Sequence, residues 1–184
     1  MRFVILGGSG SGKSTQAQRL CRHFDIPLIS TGEIFSEAIA NISSNNRHVQ
    51  PYLEKGELVA DETTIEFIRT WLNKNDINSG WVLEGYPRTA FQAEELDFLL
   101  DDLQQKLDWA IYLQVPEAVM VTRSNGRSLP DDQPEIVQRR VELFYDRTMS
   151  ILEYYDRRRR LLTINGDQLP EMVEQNILTL VSVS

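Results

Sequence analysis

Phe3-Val4-Ile5-Leu6-Gly7-Gly8-Ser9-Gly10-Ser11-Gly12-Lys13-Ser14-Thr15 decides how the rest of the chain is read. Phe3 to Leu6 is a short apolar run, expected as a buried strand. A glycine-rich turn follows. Ala17, Leu20, Cys21 and Phe24 then recur at helical spacing. The stretch is therefore G-x-x-x-x-G-K-[ST] with a strand before it and a helix after it. Glycines at these positions let successive backbone N–H groups turn inward on a phosphate chain. The helix start adds unpaired N–H donors and the positive end of a dipole. Lys13 supplies a cation for outer phosphates, and the Ser14 hydroxyl suits Mg²⁺. The turn predicts a donor site formed by Gly10, Ser11, Gly12, Lys13, Ser14 and Thr15.

Composition narrows what such a site serves. The chain has 184 residues, enough for one domain with a substantial core. Its net charge of −8 argues against general binding to nucleic acid or anionic membranes. Basic residues that do cluster therefore need local reasons. The single cysteine, Cys21, excludes an internal disulfide and a four-cysteine zinc site. No apolar run approaches the roughly 18 residues of a membrane span, and the glycines at Gly7 interrupt any signal-peptide core. The expectation is a cytoplasmic protein.

Further along, short apolar runs alternate with helical patterns. Strands are expected at Ile26–Ser30, Trp81–Glu84, Asp108–Leu113 and Leu161–Ile164. Ser30-Thr31-Gly32-Glu33 has the spacing of a capping box, and Asp61 is expected to cap a helix carrying Ile65, Ile68 and Leu72. A short helix is expected near His48–Lys55, closed by Gly56. One long helix is expected over about 134–159, and another from Pro170. Strands that are near-continuously apolar and separated by helices imply a parallel sheet covered on both faces. Ligands in such sheets sit at the carboxyl ends of the strands. That rule gathers the glycine turn, Ser30-Thr31, Gly85–Arg88 and Asn165–Gln168 around one crevice.

The glycine turn, Ser30-Thr31-Gly32-Glu33, Lys55-Gly56-Glu57-Leu58-Val59 and Gly85-Tyr86-Pro87-Arg88 with Gln92 together resemble the adenylate kinase family of nucleoside monophosphate kinases. Arg123, Asp131-Asp132 and Arg140 complete the likeness, which covers essentially the whole chain. The resemblance implies an α/β, three-layer P-loop NTPase fold with a parallel five-stranded sheet. It implies a single domain, residues 1–184, carrying a helical acceptor-binding unit at 30–59 and a short lid at 124–133. The implied reaction is reversible transfer of the γ-phosphate of MgATP to a nucleoside monophosphate, foremost AMP.

The resemblance also implies residue roles. Lys13, Arg88, Arg123 and Arg140 would be catalytic, with Arg123 and Gln168 on the ATP side. Thr31, Ser36, Glu57, Leu58, Val59, Gly85, Tyr86, Pro87, Arg88, Gln92, Arg127 and Arg140 would bind the acceptor. Ser14 and Glu84 would serve Mg²⁺, the latter through water, and no zinc site is implied. ATP and AMP are the implied partners of a monomer. Some of these residues also have plainer readings. Gln92 completes a Thr-x-x-Gln capping box with Thr89, Arg140 lies beside Arg139 on an exposed-looking helix, and Asp131-Asp132 would equally cap the long helix.

Three departures from the family pattern stand out. Ser36 occupies a position where the family usually carries an arginine for the acceptor's phosphate. A charge-assisted hydrogen bond is worth about 1.5–3 kcal/mol, so its loss would weaken acceptor binding. Glu84 replaces the usual aspartate, keeping the charge one methylene further out. The lid offers Arg127, but Ser128 and Leu129 take the place of a second arginine. These changes keep two rivals in view: a kinase for UMP, CMP or another small acceptor, and a weakened relative that binds nucleotide and acts on a partner.

Overall fold

A computed structural model describes residues 1–40, 50–55, 57–74, 78–126 and 133–183. Arg127, Ser128, Leu129, Asp131, Asp132 and Gly56, and with them most of the expected lid, lie outside the described residues.

Among the described residues five strands form one parallel sheet: β1 (Arg2–Leu6), β2 (Leu28–Ser30), β3 (Trp81–Glu84), β4 (Trp109–Gln114) and β5 (Leu161–Asn165). Their order is β2-β3-β1-β4-β5, with β1 central. Side chains alternate between faces of a strand, and β1 shows what each face meets. Val4 and Leu6 join Trp81, Leu83, Ala110 and Tyr112 on one side. That side is covered by α4 (Asp61–Lys74), α5 (Ala90–Asp102) and α8 (Met149–Arg157) through Ile68, Leu96 and Tyr155. Phe3 and Ile5 join Val82, Ile111 and Leu113 on the other, beneath α1 (Lys13–Phe24) and α9 (Pro170–Val183) through Leu20 and Ile177. Both faces are dry, which is why the strands read as unbroken apolar runs.

The remaining helices are α2 (Thr31–Ala40), α3 (Gln50–Glu54), α6 (Glu117–Asn125) and α7 (Pro134–Leu143). The expected long helix over 134–159 is instead two α-helices joined by a π-helical turn at Phe144–Thr148. Apolar spacing reads alike through both helix types, so the sequence pattern did not separate them. The turn brings Phe144 and Thr148 to the crevice above the sheet, and such turns are frequent at functional sites. β2 begins at Leu28 rather than Ile26, although the Pro27 carbonyl already accepts from Val82 N–H at 3.0 Å. Asp61 is the first residue of α4 rather than its cap, because the Ala60 carbonyl accepts the first helical bond from Thr64 N–H.

Candidate active site

A crevice of about 880 Å³ opens at the carboxyl ends of the strands. One wall is the glycine turn. Gly10 sits at φ +80°, and a Cβ there would lie 2.2 Å from the Met120 carbonyl oxygen. The turn therefore packs directly on the backbone of α6. Gly12, at φ +92°, precedes α1 without any side-chain cap. Lys13, Ser14 and Thr15 of the first turn of α1 line the crevice, which sets the positive end of the helix dipole at it. The Lys13 ammonium folds back and donates to the Gly8 carbonyl at 2.7 Å. The Ser14 hydroxyl donates to Glu84 Oε1 at 2.5 Å.

The opposite wall follows β3. Gly85 has φ +86°, and a Cβ there would meet Thr31 Oγ1 at 2.1 Å, so this corner admits only glycine. Arg88 stands just beyond. Its Nε donates to the Gly85 carbonyl at 2.9 Å, and its own carbonyl accepts from Thr148 Oγ1 at 3.1 Å. Desolvation lowers the guanidinium's pKa, nearby Arg140 lowers it further, and Glu84 opposes both. The group nevertheless stays charged at neutral pH. It is an exposed cation on the crevice wall with a second cation close by, a place suited to receive an anion.

Arg123 and Arg140 complete the basic lining. Arg123 Nη1 donates to the Gly166 carbonyl at 3.0 Å, and Nη2 donates to Asp167 Oδ1 at 3.1 Å. α6 is thereby tied to the turn after β5. Ser36, Glu57, Leu58 and Pro87 share the crevice. Ser36 spends its hydroxyl proton on the Gly32 carbonyl at 2.8 Å.

A smaller recess of about 70 Å³ branches off on the Arg88 side, lined by Thr31, Phe35, Leu58, Val59, Thr64 and Gln92 among others. Gln92 is 2% exposed and has two roles at once. Its backbone N–H donates to Thr89 Oγ1 at 3.2 Å, as the capping pattern predicts. Gln92 also lines the recess.

Three expected residues stand elsewhere. Tyr86 is 1% exposed, lies in the core and donates its hydroxyl proton to the Gln92 carbonyl at 3.0 Å. Gln168 is turned toward α9, accepts from Asn176 Nδ2 at 2.9 Å and is not part of the crevice wall. The Ser11 side chain is buried against Gly7, so it offers the crevice no hydroxyl. Conversely, Asp61, Phe144 and Thr148 reach the site or its supports without having been singled out for it.

A glycine turn opening onto an uncapped helix, facing a cluster of arginines across one crevice of a parallel sheet, defines a P-loop phosphotransferase of the nucleoside monophosphate kinase class. The family model for adenylate kinase matches residues 5–160. Adenylate kinase 2 of Nostoc sp. strain PCC 7120 is 77% identical over 184 residues, all of both chains. Adenylate kinase 2 of Synechocystis sp. strain PCC 6803 is 51% identical, covering 94% of this chain and 98% of the relative. The adenylate kinase of Bifidobacterium longum is 39% identical over 90% of this chain and 91% of its own length. The chain belongs to the adenylate kinase family.

Proposed function

We propose that the crevice carries the reversible reaction ATP + AMP = 2 ADP through the following division of labour. The glycine turn and Lys13 take the donor's phosphates. Arg88 takes the acceptor's phosphate, and the recess of Thr31, Val59 and Gln92 takes its base. Arg123 and Arg140 spread over the charge that develops during transfer. The acceptor is already an anionic phosphate, so no base catalyst is required. The work is positioning and electrostatic stabilisation.

The observation that carries this reading is one crevice lined by two separate cationic groups, Lys13 of the glycine turn and the neighbouring Arg88 and Arg140. A protein that merely binds one nucleotide needs only one of them. The donor set also fits Mg²⁺. Ser14 and Glu84 present hard oxygen ligands, and the hydroxyl that donates to the carboxylate keeps its lone pairs for a cation. When bound, the ion would neutralise charge on the phosphates. Among the described residues no group of three His, Cys, Asp or Glu could hold a metal by itself.

The same reading makes residues 30–59 the acceptor-binding unit and 124–133 the lid that excludes water, in one domain. It takes the protein to be a cytoplasmic monomer. Among the described residues no helix is long and apolar enough to cross a membrane.

The test is ADP formation from MgATP against AMP, dAMP, IMP, UMP, CMP and GMP, with Lys13→Ala as control. Turnover confined to AMP and dAMP, and reduced by about two to three orders of magnitude in Lys13→Ala, is expected. Preference for a pyrimidine acceptor overturns the substrate assignment. Nucleotide binding without turnover on any acceptor overturns the catalytic one.

A further inference from the structure

We infer that Asp61 is a specificity-determining positioning residue, which holds the Gln92 amide in the one orientation that selects an exocyclic amine on the acceptor's base. The inference rests on the reading of the small recess as the base pocket.

The geometry is a closed network. Gln92 Oε1 accepts from Arg88 N–H at 2.7 Å. Gln92 Nε2 donates to Asp61 Oδ1 at 2.8 Å. Thr89 Oγ1, which accepts from Gln92 N–H, donates to the same carboxylate at 3.4 and 3.5 Å. A side-chain amide is usually ambiguous, since its oxygen and nitrogen can be exchanged. Here the exchange would set the amide nitrogen against the Arg88 N–H, donor to donor. It would also set the amide oxygen against a carboxylate. Both ends forbid it. Arg88 and Asp61 therefore leave Gln92 with one lone pair on Oε1 and one hydrogen on Nε2.

Two hydroxyls of the recess agree. Thr31 donates to the Glu84 carbonyl at 3.3 Å, and Thr64 donates to the Ala60 carbonyl at 3.1 Å. Their protons are spent, so both hydroxyls present only acceptors. Beside the Arg88 guanidinium, which this reading gives to the phosphate, the Thr31, Thr64 and Gln92 side chains thus offer several acceptors and, from Gln92, one donor beside one of them. An amine next to an unprotonated ring nitrogen satisfies that pattern, as in adenine. An oxo group next to a ring N–H, as in hypoxanthine, places acceptor on acceptor and donor on donor. Sites built on such bonds reject the mismatched ligand strongly, because buried polar groups are left unpaired.

Asp61 lies 31 residues from Gln92 in sequence and does not line the recess. It reaches the acceptor's base through Gln92, while Thr89 holds the same carboxylate. The experiment compares kcat/KM for AMP and IMP in the wild type, Asp61→Ser, Asp61→Asn, Gln92→Ala and the double variant Asp61→Ser/Gln92→Ala. Serine keeps a residue suited to a helix start but is too short to reach Nε2. Asparagine keeps an acceptor oxygen there. Expected is a roughly tenfold fall in the AMP-to-IMP ratio for Asp61→Ser, carried by the acceptor KM with the ATP KM unchanged, about the value of one neutral hydrogen bond. Asp61→Asn should retain the ratio. The double variant should match Gln92→Ala, as residues acting through one another do. A purely structural role would lower melting temperature and kcat for both acceptors alike, leave the ratio intact and overturn the inference. A ratio that falls in Gln92→Ala but holds in Asp61→Ser overturns the role of Asp61 alone. A ratio unchanged in Gln92→Ala overturns the base-pocket reading together with it.

Discussion

The Ser14 hydroxyl and the Glu84 carboxylate meet at 2.5 Å, joining the first turn of α1 to the end of β3. The parallel register sets this up, because Glu84 pairs with Ile5 just before β1 enters the glycine turn. A carboxylate at the end of one strand therefore stands level with the phosphate-binding start of the helix.

Glu84→Gln keeps size and removes charge. It should lower kcat about 10- to 100-fold, the usual effect of losing a group that orients a metal's surroundings. It should also raise the Mg²⁺ concentration needed for half-maximal rate. Titrating activity with Mg²⁺ at fixed ATP checks both. An unchanged Mg²⁺ midpoint would make Glu84 a partner of Ser14 and nothing more.

Gly10→Ala should damage stability and nucleotide binding together. The left-handed backbone costs a side chain about 1–2 kcal/mol. The new Cβ would also press on the Met120 carbonyl, a backbone atom that cannot swing away. Calorimetry should show a melting temperature lower by at least about 2–8 °C, from the backbone strain alone. Isothermal titration should show weakened ATP binding. A variant with native melting and native affinity would mean that the turn is not held on α6 as described.

How much of this was legible in the sequence follows the range of each interaction. The strand, turn and helix around Lys13 are contiguous, so spacing alone reveals them. The Thr89–Gln92 cap is also a local offset, and its first half forms, while the Gln92 side chain takes the Arg88 N–H in place of that of Thr89. The Asp61–Gln92 bond crosses 31 residues, and no local pattern announces it. Tyr86 and Arg88 belong to one short segment, yet one is packed in the core and the other opens on the crevice. Only the three-dimensional path of the chain after β3 separates them. Gln168 fell beside the right strand end, but Asn176 on α9 draws it away.

Cys21 gives a prediction about pH. Burial pushes its thiol up to about 11 from an ordinary 9.0. Folding thus favours the neutral thiol. The stability it contributes is complete below about pH 9 and is lost as pH rises towards 11. At pH 8 the native thiolate fraction is lower than in the unfolded chain by about a hundredfold, two units of pKa. Alkylation by iodoacetamide should therefore be slow in the native protein and rapid in urea, and the single cysteine makes the reading unambiguous. Equal rates in both states would contradict the burial of this side chain.

Ser36→Arg should tighten the acceptor side. Ser36 lines the crevice with Arg88 and Arg140, but its hydroxyl is committed to the Gly32 carbonyl. It therefore offers an incoming phosphate no donor of its own. An arginine on the same face of α2 adds a bidentate, permanently charged donor. One charge-assisted hydrogen bond of about 1.5 kcal/mol corresponds to a roughly tenfold lower AMP KM. A third guanidinium near Arg88 and Arg140 also repels them in the empty enzyme. The gain should therefore be accompanied by a lower melting temperature that AMP or added salt restores. The ATP KM should not move, because the glycine turn lies on the opposite wall. Steady-state kinetics in both substrates at two salt concentrations measures all of this. An AMP KM that stays put would show that the acceptor's phosphate already has its full complement of cations, and that Ser36 is a loss the chain has compensated elsewhere.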